Sequence, residues 1–202
     1  MSPLFNSRAA DLPESLSNQE KSALLQIARR SLEESIVHEL RWQPDEPVGL
    51  LAESRGAFVT LHIGKKLRGC VGQIEPRNSL AITVARCAIS AAREDDRFNP
   101  VQPDEVPKLT IEISVLSPPR TIALNEIHIG THGLIVERGP FRGLLLPQVA
   151  TERNWTAEKF LAETCLKAGL AGDAWKSKET QIFGFSAEVF SESESSAADS
   201  PR

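Results

Sequence analysis

Ala57-Phe58-Val59-Thr60-Leu61-His62-Ile63-Gly64-Lys65-Lys66-Leu67-Arg68-Gly69-Cys70-Val71-Gly72 carries the strongest structural signal in the chain. Val59, Leu61 and Ile63 alternate with Phe58, Thr60 and His62, the period of a strand buried on one face. Gly64-Lys65-Lys66 supplies a turn, and the chain from Leu67 to Ile74 returns as the second strand of a hairpin. With a three-residue loop, Ile63 faces Leu67, Leu61 faces Gly69 and Val59 faces Val71. That register gathers the aliphatic residues on one side, and a slip by one residue would mix them with polar ones. His62 then faces Arg68 and Thr60 faces Cys70. Alternation also puts Arg68 and Cys70 on one face, so a thiol, a guanidinium and an imidazole meet there.

Outward from the hairpin, helices and strands intermix. Ser17 and Glu20 form a capping box for a helix to about Leu40, with Leu24, Ala28, Leu32, Ile36 and Leu40 on one stripe. A second helix runs from Ser79 to Arg93. Leu109, Ile111, Ile113 and Val115 alternate with Thr110, Glu112 and Ser114 in another half-buried strand, where Glu112 reads as a solvated carboxylate on the polar face or as an acid/base group. Short strands follow around Ile127–Ile129, Leu134–Glu137 and Gly143–Leu146. A third helix spans about Thr156 to Ala168 and ends at Gly169. Phe183, Phe185, Ala187 and Val189 alternate in a last strand. Without regular βαβ alternation the class is α+β. Residues 1–14 read as an N-terminal arm, 15–191 as the folded domain, and 192–202 as a disordered acidic tail.

A chain of 202 residues buries one sizeable core, divisible into two lobes. A net charge of −4 argues against a protein built around nucleic-acid phosphates. Nothing approaches the length of a membrane span or a signal peptide. Cys70, Cys87 and Cys165 are odd in number and far apart, which disfavours a disulfide framework and fits a reducing cytoplasm. They form no C-x-x-C pair, so no metal site is assigned, and no nucleotide-binding glycine motif is present.

The chemistry concentrates at Cys70. A neighbouring Arg68 favours the thiolate, the form that attacks electrophiles. Gly69 and Gly72 leave room for a ligand or another backbone. His132, between Gly130 and Gly133, is a candidate base, with His62 as the other. The alternative is a small buried thiol in a structural hairpin, with Arg68 in a salt bridge. Gln148, Glu152 and Trp155 follow Pro147 at a strand-to-helix transition, where binding residues and helix caps both occur. Cys87 and Cys165 fall on apolar helix faces and read as core.

Leu67-Arg68-Gly69-Cys70-Val71-Gly72 resembles the L-R-G-C-I-G signature of the AMMECR domain family, with Val71 in place of isoleucine. Further stretches match in order: Asp95–Val101 resembles D-P-R-F-x-P-V with Asp96 replacing proline, and Ile111–Leu116, Ile129–Leu134, Gly143–Ala150 and Cys165–Leu170 follow. The resemblance spans roughly residues 15–190. It implies two unequal lobes with antiparallel sheets, flanking helices and a cleft between them. Family activity is unsettled, and the resemblance leaves the cofactor unknown. Prokaryotic members are often encoded beside a Memo-like protein and a radical-SAM protein, which implies a shared modification pathway. The expected function is an enzyme or enzyme component that takes a small molecule or modified residue in the cleft. Cys70, Arg68 and His132 are its candidate catalytic residues, and Gly69, Gly72, Gln148, Glu152 and Trp155 its candidate contacts. The alternative is a non-catalytic module that docks on such partners.

Overall fold

The computed structural model describes residues 15–75 and 77–192; the expected N-terminal arm and residues 193–202 lie outside them. Ser17 opens the first helix, α1 (Asn18–Leu32), through the capping box read from the sequence. Its hydroxyl accepts the Glu20 N–H, and the Glu20 carboxylate accepts the N–H of Ser17 at 2.8 Å. Leu24, Ala28, Leu32 and Ile36 form the expected buried stripe. The helix widens into a π-helical turn over Glu33–Val37 and stops at Glu39, which takes a φ of 55°. Leu40 therefore leaves the stripe and is exposed, its N–H closing on the Glu34 carbonyl.

The remaining elements are β1 (Ala57–Ile63), β2 (Lys66–Gln73), α2 (Leu80–Arg93), β3 (Leu109–Leu116), β4 (Arg120–Thr121), β5 (His132–Arg138), β6 (Phe141–Leu145), α3 (Pro147–Glu152), α4 (Ala157–Lys167) and β7 (Gln181–Ser191). The strands form one antiparallel sheet in the order β2-β1-β3-β7-β5-β6, with β4 beside β7, so the class is α+β as expected. The expected strand at Ile127–Ile129 is absent, because Leu124–Glu126 turns as a short 3₁₀ segment and His128 to Thr131 turns again.

β7 joins two halves of the sheet. Residues 181–186 pair with β5 and residues 187–191 with β3. Alternation along β7 then assigns the faces. Phe190 enters the larger core with Val59, Leu61, Ile111 and Ile113, under α1 and α2. Ile182 enters the smaller core with Leu134 and Val136, against α4. Residues 182 and 190 share a face, so the helices of both halves cover the same side of the sheet. The other side carries Phe183, Phe185 and Ala187, clustered with Leu116, Ile135, Leu144, Phe58 and Ile74. The sheet curls around this cluster into a half-barrel, and Arg142 of β6 pairs with Glu75, just past β2.

The expected acidic tail begins one residue too early. Glu192 accepts Arg29 Nε at 3.0 Å and Nη2 at 2.6 Å, and also the Ile111 N–H at 2.9 Å. Arg29 in turn donates to the carbonyls of Val106 and Leu109. This half-buried node ties α1 to β3 and to the end of β7. Glu192→Ala is expected to lower stability by about 1–2 kcal/mol, since it strips a buried backbone N–H and a guanidinium of their acceptor. Breaking the more exposed Lys108–Asp104 pair should cost less than about 0.5 kcal/mol. Urea midpoints of the two variants measure the difference.

Candidate functional site

The hairpin register holds over most of its length. Thr60 faces Cys70, Leu61 faces Gly69 and Val59 faces Val71, as the apolar pattern requires. Nearer the turn it breaks. His62 faces Leu67 and Ile63 faces Lys66, so the loop is Gly64-Lys65 alone, with Gly64 at a φ of 58°. A two-residue hairpin loop with glycine first is a recognised signal that a three-residue reading passes over. Arg68 is left as the extra residue of a β-bulge, which bends the strand and re-aims its side chain.

That bulge separates Arg68 from Cys70. Arg68 Nε and Nη2 donate to the two carboxylate oxygens of Glu105 at 2.9 Å each, and Nη1 donates to the Asn99 carbonyl at 2.8 Å. The guanidinium is committed to bracing the 99–105 loop, and it is not the electrostatic partner expected for the thiol. Gly69 serves packing: a Cβ there would lie 2.0 Å from the carbonyl oxygen of Ala91 in α2. Gly72 lies under the Phe58 ring, which a Cβ would meet at 2.2 Å. Leu67, expected in the core, is exposed. Arg68, Gly69 and Gly72 thus each have a structural task, and neither glycine opens a ligand path.

Cys70 differs. It is half-buried, on the helix-free face, and its Sγ accepts the Thr60 hydroxyl at 3.2 Å. β2 is an edge strand, and the outward Cys70 N–H donates to Asp95 Oδ2 at 2.8 Å, a way of covering an otherwise open edge. Asp95 is buried and held by Arg97 through Nε and Nη2 at 2.9 and 2.7 Å. The Arg97 hydrogen bonds hold the Asp95 carboxyl far below the usual carboxylate range, against the opposing effect of burial. Arg97 also feels the Cys70 thiol electrostatically, so the cation near the sulfur comes from the 95–101 stretch. By contrast, burial pushes the Cys87 thiol up to about 11 and raises that of Cys165. Both are core, as read.

Across the sheet, Cys70, Thr60, Glu112 and Ser191 stand in one row on the helix-free face, each paired in register with the next. His62 is two residues from Thr60 on that same face.

His132 lies elsewhere. It pairs with Ser186 in β5, in the smaller half, on the face covered by α4. Its Nδ1 accepts the His128 N–H at 3.1 Å, and burial, Arg120 and His128 hold its pKa below the ordinary imidazole value. Four steps of the sheet order separate β5 from β2, so His132 is no base for Cys70. Gln148 and Glu152 are exposed on α3. Trp155 packs into the smaller core with its ring 6.4 Å from Phe160 and under Arg153. None of the three joins the Cys70 row. Where the halves meet, a depression of about 280 Å³ is lined by Arg55, Leu116, Ser117, Ser186 and Ala187, among others, and by no residue of the hexapeptide.

Sequence reasoning missed Asp95, Arg97 and Glu105 as members of this neighbourhood. An aspartate two residues before an arginine, just past a helix end, was the available hint. No group of three or more His, Cys, Asp or Glu side chains among the described residues is placed to hold a metal ion.

The chain is similar to known proteins over most of its length. A protein of Methanothermobacter thermautotrophicus is 44% identical over 185 residues, covering 88% of this chain and 96% of the relative. One from Methanocaldococcus jannaschii is 46% identical over 151 residues, covering 70% of this chain and 75% of its own. The crystal structure of an uncharacterized protein from Pyrococcus horikoshii matches with a TM-score of 0.69 at 41% identity, over 84% of this chain and 89% of that one. The AMMECR1 family model matches residues 25–190, which takes in the hairpin, the Asp95–Arg97 pair and all but the last residue of β7. The chain belongs to the AMMECR1 family.

Proposed function

We propose that this chain is an enzyme or enzyme component that holds a small molecule or a modified residue on the helix-free face around Cys70. The observation that carries the reading is the position of Cys70. Of the two hexapeptide side chains that carry chemistry, Arg68 is tied up in an ion pair, whereas Cys70 is neither ion-paired nor packed into a core. Thr60 donates to the sulfur, and the Arg97 guanidinium stands near enough to interact with it electrostatically. The family resemblance supports a cytoplasmic pathway shared with Memo-like and radical-SAM proteins. No helix among the described residues is long and apolar enough to cross a membrane.

Iodoacetamide labelling resolved by site in a mass spectrometer tests this. Cys70 is expected to be alkylated in the folded protein at least about tenfold faster than Cys87 and Cys165, which burial keeps protonated and out of reach. Arg97→Ala should slow Cys70, whereas Arg68→Ala should leave its rate unchanged. Protection of Cys70 until the protein unfolds would transfer the face to the second reading, a docking module. The exposed Phe141 and Leu166, at the start of β6 and in the last turn of α4, favour that reading. In that case co-purification with Memo-like or radical-SAM proteins should be lost on Phe141→Ser and kept on Cys70→Ser.

A further inference from the structure

Glu112 stands in the middle of β3, between β1 and β7, with Thr60 on one side and Ser191 on the other. It is partly buried, yet no hydrogen bond or ion pair among the described residues reaches its carboxylate. The other partly buried acids are all engaged. Asp95, Glu105, Glu188 and Glu192 are each held by an arginine or lysine, and Glu20 by its helix cap. Glu34, Glu137 and Glu163 have neighbouring cations within ion-pair distance. A partly buried carboxylate without a partner can accept a cation from outside the chain. Among the described residues Glu112 alone stands so, on the face that also carries Cys70.

The surroundings define what would fit. Strand spacing puts the Glu112 and Cys70 backbones about 10 Å apart, with the Thr60 side chain between them. Two residues along the same face the row becomes Phe58, Ser114 and Val189, and Val189 is an exposed apolar side chain. Beyond that lies the apolar cluster around Leu116 and Phe185. An occupant that complements this surface has a positive hydrogen-bond donor at one end and an apolar body alongside.

We propose that the helix-free face binds an alkylammonium group, with Glu112 as its counter-ion, Thr60 beside it, and its apolar chain laid against Phe58 and Val189. This deepens the reading of Cys70 as a ligand-contacting residue and rests on it for the identity of the site. The ammonium belongs either to a free amine or to a lysine side chain of another protein.

The test uses 4-phenylbutylamine as the probe, with 4-phenylbutanol and 4-phenylbutyrate as neutral and anionic matches. Two readouts are taken on the full chain: the thermal midpoint, and the iodoacetamide labelling rate of Cys70. The amine is expected to raise the midpoint and slow Cys70 labelling with increasing concentration, and the alcohol and acid to do neither. Glu112→Gln, close in shape, should keep the native midpoint without probe. It should need about tenfold or more amine for the same effect, as loss of a charge-assisted contact requires. Nα-acetyl-lysine methylamide, run beside the amine, distinguishes the two sources by which compound acts at the lower concentration. Equal shifts from amine and alcohol, or an amine effect unchanged by Glu112→Gln, would overturn the ammonium site even if Cys70 labels freely. A Glu112-dependent midpoint shift with no effect on Cys70 would uphold the ammonium site and remove Cys70 from it.

Discussion

Gly69→Ala is expected to destabilise the protein by about 3 kcal/mol. The new Cβ would lie 2.0 Å from the Ala91 carbonyl oxygen and 3.0 Å from its carbon. Those are backbone atoms in the last turn of α2, a helix that covers β1 and β2. They cannot rotate aside, so either the helix lifts off the sheet or the edge strand bends away. Both outcomes break contacts in the larger core, and overpacking of this kind costs about 1–3 kcal/mol or more. Gly172→Ala, in the turn after α4, offers the control, because its Cβ would meet nothing nearer than 3.8 Å and its backbone is open to alanine. The change there should stay within about 0.5 kcal/mol. Urea midpoints of both variants measure the difference, and equal losses would refute the argument. The second glycine of the hexapeptide is closed to a side chain as well, since a Cβ at Gly72 would meet the Phe58 ring at 2.2 Å and the Ala57 carbonyl oxygen at 2.7 Å.

Much of this architecture was legible in the chain because local and tertiary preferences agree there. Ser17 and Glu20 announce a helix start that no tertiary contact is needed to explain. The alternation in 57–63 and 109–115 places the aliphatic residues on the covered face, and burial follows it closely. Reading failed where one residue changes the geometry. The bulge at Arg68 inserts a residue without altering the apolar pattern up to Leu61, so the pattern could not reveal it. Once Arg68 is displaced, the polar triad expected from alternation dissolves, and Arg97 replaces it from a loop about 30 residues away. His132 failed for a different reason. A histidine flanked by glycines reads the same whether its strand adjoins the thiol or lies on the other side of β7. Strand order comes from long-range pairing, which no local window records. The isolation of Glu112 was invisible for the same reason, since an ion pair is known to be missing only when every neighbour is placed.

Arg68→Ala should lower stability by about 2 kcal/mol while leaving Cys70 as reactive as before. The bidentate pair with Glu105 is mostly shielded, and Glu105 Oε2 also accepts the Gln102 N–H at 2.8 Å, so removing the guanidinium leaves a partly buried carboxylate without its cation. Arg68→Lys, a single donor where a fork is needed, should recover only part of the loss. The pH dependence separates this from a general loss of packing. Hydrogen bonds from Arg68, then from the Gln102 backbone, lower the Glu105 carboxyl from 4.5 to about 2. A carboxyl depressed in the folded state contributes its stability above the unfolded value and gives it up as pH falls through the folded one. The pair therefore helps fully above about pH 5 and progressively less from there down to about pH 2. The stability gap between the native protein and Arg68→Ala should be widest near neutrality and narrow across that interval. A gap independent of pH would mean that the aliphatic stem of Arg68, and not its charge, holds the 99–105 loop. A gap that narrows while Cys70 keeps its labelling rate would assign Arg68 to the loop and leave the thiol's chemistry to Thr60 and Arg97. The same result would explain why a sequence that places an arginine two residues from a cysteine need not pair them: the bulge gives the two side chains different tasks.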